Sequence, residues 1–339
     1  MTTAVCVLFG RDRPGEGHPR PGDVRTRRVG VGDCLRSGRT TDAADADGAR
    51  PAARTGREAD GVWPTEVRNG LRRRARRRDV SRFTPVGTPA AAWLSSVGAV
   101  ITPDVTARLS ALAERFALPP GATERLAALL EFVAAEPSSI TTVRDPARGV
   151  DLHVADSLVA LDLEPVRGAK RLADLGSGGG FPGLALAIAL PEARVTLVES
   201  VGRKCAFLAG ATDALELANV EVVHGRAEAW AAGAEANDIV TARALAPLPV
   251  LVEYAAPLLR LGGSLVAWKG RRDGAEEADG AVAASVLGMR APSVVRVDPF
   301  DGASDRHLYL SSKESATPAA YPRREGMARK RPLGASTRR

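Results

Sequence analysis

The sequence predicts an α/β protein: a doubly wound (Rossmann-like), mostly parallel seven-stranded sheet preceded by a small N-terminal helical cap. Three observations carry this. From residue 171 onward, short β-rich runs alternate with helical stretches, the pattern of parallel strands joined by crossover helices. The first run leads straight into a glycine-rich loop and an apolar helix, as at the ligand crevice of such sheets. The last two runs have no helix between them, which suggests a hairpin added antiparallel at one side.

In chain order, residues 1–90 are rich in Arg, Gly, Asp, Ala and Pro without helical or strand periodicity, so they cannot repay their ordering entropy and are expected to be a disordered basic extension. Its run Leu71-Arg72-Arg73-Arg74-Ala75-Arg76-Arg77-Arg78 reads as an RNA-binding arm, as a solvated tail, or as residues translated from an upstream start. The cap is expected over 91–150. Within it, 104–117 spaces Val105, Leu109, Leu112 and Phe116 along one helical face, and 122–135 does the same with Leu126, Leu129, Leu130 and Val133. Pro119, Pro120 and Gly121 separate the two helices. The main domain is expected over 151–312, with strands at 171–175, 194–199, 220–224, 238–243, 264–269, 293–297 and 307–312. Helices are expected at about 182–190, 203–218 and 248–260. Residues 313–339, Pro-rich and basic, are expected to be a disordered tail.

Charge needs the same division. The net +7 comprises +8 in residues 1–90, +6 in 313–339 and −7 in 91–312. Total charge therefore does not argue for a nucleic-acid partner of the folded part, because the positive excess lies at the two ends. Cys6, Cys34 and Cys205 form no CxxC pair, which excludes a disulfide framework and a cysteine zinc site and fits a reducing cytoplasm. The apolar runs at 4–9 and 184–190 fall short of a signal core and of a membrane span, so a soluble, intracellular protein is expected. No metal-ligand spacing and no GxSxG motif occurs, against metalloenzyme and hydrolase classes.

The loop Asp174-Leu175-Gly176-Ser177-Gly178-Gly179-Gly180-Phe181-Pro182-Gly183 has two readings. Gly178-x-Gly180-x-x-Gly183 spells a dinucleotide fingerprint, and Gly176-x-Gly178-x-Gly180 with Asp174 ahead of it spells an S-adenosylmethionine loop. Glu199, at the end of the second strand, suits the ribose of either cofactor. The chain left after Gly183 completes one sheet with no second substrate domain, which favours S-adenosylmethionine over NAD. Further polar residues follow the other strands: His224-Gly225-Arg226-Ala227-Glu228, Arg243-Ala244 and Lys269-Gly270. Their convergence marks one rim, although Arg226 and Glu228 also read as a surface ion pair. Upstream lie Arg144-Asp145-Pro146 and His153, which taken alone reads as a structural histidine.

Taken together with Thr142-Val143-Arg144-Asp145-Pro146, His153-x-x-Asp156-Ser157-Leu158, Lys204-x-x-Phe207-Leu208, Arg226-x-Glu228, Thr241-Ala242-Arg243-Ala244, Lys269-Gly270 and Arg306-His307, the glycine loop resembles the ribosomal RNA small subunit methyltransferase G family (RsmG, or GidB) over about 104–312. Ser139-Ile140-Thr141 and Ala135-Glu136-Pro137 depart from the family pattern. The resemblance implies a class I S-adenosylmethionine-dependent methyltransferase that modifies N7 of a guanine in the decoding-centre loop of 16S rRNA. It implies cofactor contacts from Gly176, Gly178, Gly180, Phe181, Glu199, Ala227, Glu228 and Arg243. Arg144, Lys204, Arg226, Lys269 and Arg306 would face RNA. Asp145, His153 and Asp156 would fix the cap against the sheet, and Asp174 would shape the loop. No general base is assigned, because guanine N7 carries a free lone pair, and no metal is expected. A small-molecule methyltransferase, an NAD-dependent oxidoreductase and an RNA-binding module acting through the arginine arm are the alternatives.

Overall fold

The computed structural model describes residues 101–334, so the expectations for 1–90, the arginine arm included, for the first part of the cap at 91–100 and for 335–339 lie outside the described residues. Helix α1 (Pro103–Phe116) begins where the Thr102 hydroxyl accepts the Val105 amide at 3.3 Å and Pro103 occupies the first turn, where its missing N–H costs nothing. Helix α2 (Ala122–Ala135) follows the Pro-Pro-Gly turn. The periodic faces point inward: Val105, Leu109, Phe116, Leu126, Leu129, Leu130 and Val133 are buried. Phe132 of α2 meets Phe207 with ring centroids 5.2 Å apart, which ties the cap to the body. A run of short helices not expected from periodicity leads onward: α3 (Pro146–Gly149), a π-helical segment (Val150–Ala155), α4 (Asp156–Leu158), a 3-10 turn (Val159–Asp162) and α5 (Glu164–Arg167).

The sheet has seven strands in the order β3-β2-β1-β4-β5-β7-β6. They are β1 (Arg171–Leu175), β2 (Arg194–Glu199), β3 (Val220–His224), β4 (Asn237–Arg243), β5 (Leu259–Lys269), β6 (Ser293–Arg296) and β7 (His307–Ser312). The first five pair in parallel, and β7 runs antiparallel to both β5 and β6. Helices α6 (Gly183–Ala189), α7 (Gly202–Ala214), α8 (Leu248–Ala255) and α9 (Gly274–Leu287) cover it. Successive strand residues face opposite cores. Leu172, Val195, Leu197 and Ile239 pack with the cap, α6 and α7, whereas Ala173, Leu175, Val198 and Val240 pack with α8 and α9. Strands β1 and β2 are buried beyond their first residue, and the edge strands β3 and β6 are mostly half-buried or exposed, as sheet position requires.

The chain beyond β7 corrects an expectation. Residues 313–334 are not a disordered tail but pack on the body. Lys313 continues the ladder, and its buried ammonium donates to the Leu259 carbonyl at 2.8 Å and pairs with Glu235 at 3.2 Å, while burial lowers its pKa. Arg323 grips the buried Glu253 of α8 through two donors, one at 2.7 Å. Tyr321, Ala328 and Leu333 pack on the α8/α9 core, and a short helix α10 (Met327–Lys330) forms there. Composition misled because two basic residues of this segment, Lys313 and Arg323, find acidic partners contributed by distant parts of the chain. Removing Arg323 leaves the Glu253 carboxylate buried and unpaired, which costs on the order of 3 kcal/mol. Arg323→Ala should therefore lower stability by about that amount in urea unfolding, whereas a floating tail would leave the midpoint unchanged.

Candidate functional site

Strand β1 is where the sheet order turns, because the helices after β1 and β4, α6 and α8, lie on opposite faces. In such sheets a ligand crevice opens at that point beyond the strand ends. Asp174, 1% exposed, is its fixed point. Its Oδ1 accepts the Thr241 hydroxyl of β4 at 2.8 Å and its Oδ2 accepts the Gly183 amide at 3.2 Å. Burial outweighs these bonds and pushes the carboxyl up to about 6. Between Asp174 and Gly183 the chain turns on Gly176, Gly178 and Gly180, with φ of +68°, +56° and +91°. A Cβ at Gly176 would stand 2.6 Å from Leu245 Cδ1, and one at Gly180 would stand 2.4 Å from Leu184 Cδ1. Around Gly178 there is room: the nearest atoms are the Gly176 carbonyl at 3.6 Å and the Lys204 ammonium at 3.9 Å.

Glu199 ends β2 beside this loop. One carboxylate oxygen accepts the Gly178 amide at 3.0 Å, and the other accepts the Ser200 and Val201 amides at 2.7 and 2.9 Å. A carboxylate offers roughly four acceptor positions, so about one is left. A fixed carboxylate with one open position next to a bare glycine backbone fits the ribose end of S-adenosylmethionine.

On the cap side, the Phe181 ring stacks on His153, with centroids 4.4 Å apart and planes 8° from parallel. His153 Nε2 lies 2.9 Å from the Val143 carbonyl and 3.3 Å from the Thr141 hydroxyl. Burial lowers the His153 pKa, so the neutral ring donates from Nε2 and leaves Nδ1 as a buried acceptor without a partner. Ile140, in a block that departs from the family pattern, is buried, and its carbonyl would lie 3.7 Å from a Cβ at Gly179. Arg243 donates to Asp156 at 2.8 Å and to the Leu152 carbonyl at 3.1 Å, and its guanidinium carbon sits 5.8 Å from the Phe181 centroid. Arg306 lies 3.4 Å from the other Asp156 oxygen as an ion pair without hydrogen-bond geometry, and Trp268 Nε1 donates to the Asp156 carbonyl at 2.6 Å.

The remaining expected residues separate into groups. Ala227 and Glu228 open a 3-10 turn after β3, where Glu228 accepts the Gly326 amide at 3.0 Å. Arg226 pairs not with Glu228 but with Glu325, at 3.6 Å. Lys269 pairs with Glu276 at 2.5 Å and faces a cleft of about 620 Å³ that Ala244, Leu245, Glu276 and Pro332 help to line. Asp145 accepts the Arg148 amide at 3.1 Å as the N-cap of α3. The guanidinium of Arg144, expected to face RNA, donates to the Ala134 and Glu136 carbonyls at the end of α2, because those carbonyls have no intrahelical partner. Sequence reasoning missed Leu245, Trp268 and the 325–329 segment. Of these only Trp268, an indole beside Lys269 at a strand end, carries a local signal.

The raised pKa of Asp174 has a pH signature. A carboxyl that titrates near 6 when folded and near 3.8 otherwise binds an extra proton in the native state between those values. Wild-type stability relative to Asp174→Asn should therefore fall as pH rises from 4 to 6, by on the order of 3 kcal/mol, and stay flat above. Unfolding of both proteins across that range checks this, and a pH-independent difference would refute it.

Comparison with known proteins agrees with this geometry. Residues 124–309 match the family model for rRNA small subunit methyltransferase G. A protein of that name from Rubrobacter xylanophilus is 45% identical over 202 residues, covering 58% of this chain and 77% of the relative. Those from Desulfitobacterium hafniense and Chloroflexus aggregans are each 42% identical, over 58% of this chain and 83% and 82% of theirs. The matched range contains the glycine loop and the strand ends beside it, and the chain belongs to the ribosomal RNA small subunit methyltransferase G family.

Proposed function

We propose that the chain uses S-adenosylmethionine to methylate N7 of a guanine in the decoding-centre loop of 16S rRNA. The observation that carries this is the cradle at the end of β1: a loop with three left-handed glycines whose Gly178 amide is held by the Glu199 carboxylate. Bound S-adenosylmethionine supplies an electrophilic sulfonium methyl. Gly176, Gly178, Gly180 and Phe181 would line its amino-acid side, Glu199 its ribose, and Ala227 and Glu228 its adenine end. Arg243 would fix Phe181 at the rim through its hold on Asp156. Lys204, beside Gly178, is the expected base best placed for RNA phosphates, whereas Arg226, Lys269 and Arg306 already pair with carboxylates. The substrate is ribosomal RNA, in the small subunit or a precursor of it, which would put the protein in the cytoplasm. Among the described residues no helix is long and apolar enough to cross a membrane.

Incubating purified small subunits that lack the modification with the protein and methyl-labelled S-adenosylmethionine should yield one 7-methylguanosine in 16S rRNA by nucleoside mass spectrometry. Transfer to small molecules only, or retention of NADH on purification, would overturn the reading. At Gly178 a methyl fits sterically but meets a left-handed φ and the open side of the cradle. Gly178→Ala should leave a folded protein whose S-adenosylmethionine affinity drops about tenfold, ~1.4 kcal/mol, by calorimetry.

A further inference from the structure

We propose that residues 324–331 form a basic strap that docks the RNA substrate at the edge of the cofactor site, an inference that rests on the methyltransferase reading above. The strap is anchored at several points. Arg323 is locked onto Glu253, the Gly326 amide onto Glu228, Glu325 onto Arg226, and Arg329 donates to the Leu245 carbonyl at 2.7 Å. Ala328 is 1% exposed. Those anchors fix its location. Glu228 follows β3, and Leu245 follows β4 with its side chain against Gly176, so the strap crosses beside the loops that form the cofactor site. Pro332, just beyond it, lines the cleft that Lys269 faces.

With its backbone held, the strap presents Arg324, Arg329, Lys330 and Arg331, all exposed, within eight residues. Among the described residues, no side-chain hydrogen bond or ion pair engages Arg324, Lys330 or Arg331. Holding several unpaired cations together has a Coulombic cost, and a polyanion removes it. The rest of the molecule makes the location count: residues 91–312 carry −7, so that body offers RNA no general attraction, while residues 313–334 carry +4. A single strand that meets fixed bases releases counterions, and the logarithm of affinity falls with the logarithm of salt by about 0.7 per phosphate contacted.

The test is the triple variant Arg324→Gln/Lys330→Gln/Arg331→Gln in the full chain, which leaves every anchor intact. Its charge-matched control is Lys170→Gln/Arg171→Gln/Arg194→Gln at the opposite, amino edge of the sheet. Binding to unmodified small subunits is measured across salt concentrations, with KM for those subunits and calorimetric Kd for S-adenosylmethionine alongside. The strap variant should lose about two from the salt slope and raise KM for subunits about tenfold, with Kd for S-adenosylmethionine within about twofold. The control should match wild type. An unchanged slope and KM, or an equal loss in the control, overturns the strap. A wild-type protein that binds S-adenosylmethionine yet neither binds nor methylates small subunits overturns the underlying reading instead.

Discussion

The site depends first on where Asp174 has to be. A carboxylate without water must be satisfied by the protein, and this one takes the Thr241 hydroxyl from β4 and the Gly183 amide from the start of α6. One side chain thereby joins β1, its neighbour β4 and the point at which the loop re-enters helix. The loop's two ends are pinned together, so the intervening residues must turn sharply, and the left-handed angles at Gly176, Gly178 and Gly180 make that turn. Gly183 is small for the same reason: a Cβ there would lie 2.7 Å from the Asp174 carboxylate and 2.3 Å from Leu197. The raised pKa of Asp174 is the trace of what this pinning costs, since the charged form has lost its hydration.

A second junction sets the cap against that loop. Asp156 receives Arg243 from the end of β4 and Arg306 from the approach to β7, while its carbonyl accepts the Trp268 indole from β5. The π-helical turn just before it carries His153 onto the face of Phe181, and such turns commonly aim side chains at functional sites. Two guanidiniums around one carboxylate leave one positive charge in surplus beside the glycine loop.

How much of this was legible follows from how far apart in sequence the interacting groups lie. The central strands could be read because burial on both faces makes each a continuous apolar run, and the glycine loop could be read because its geometry is local. Helix α9 was missed because its buried positions include Gly280, Ala283 and Ala284, whose small side chains make no conspicuous apolar stripe. The segment after β7 was misjudged because the acids that anchor it, Glu235 and Glu253, lie 78 and 70 residues upstream of Lys313 and Arg323. Arg144, Lys269 and Arg306 likewise have partners that the sequence does not mark. A base at a loop or strand end looks identical in sequence whether it waits for a phosphate or already holds a helix end or a carboxylate. Glu199 could be placed beside the loop because its partners are the adjacent backbone and a loop already marked by its glycines.

The state of the carboxylates bears on the kind of chemistry the crevice can perform. Asp174 is buried between two donors, Asp156 sits between two guanidiniums, Glu199 holds three backbone amides and Glu228 holds the Gly326 amide. Asp174 and Glu199 have most of their lone pairs committed and Asp156 is held by two positive charges, and an acceptor so held is a poor general base. His153 is neutral, but its Nε2 proton is held by a carbonyl and its Nδ1 is buried. Methylation of a hydroxyl would call for a group to take up a proton, and these residues do not offer one. A guanine N7 arrives with its lone pair free, so only position remains to be supplied. Fixing the two reactants in line is worth several kcal/mol on its own. A site whose acids are spent on holding backbone in place is therefore suited to a nucleophile that needs no deprotonation.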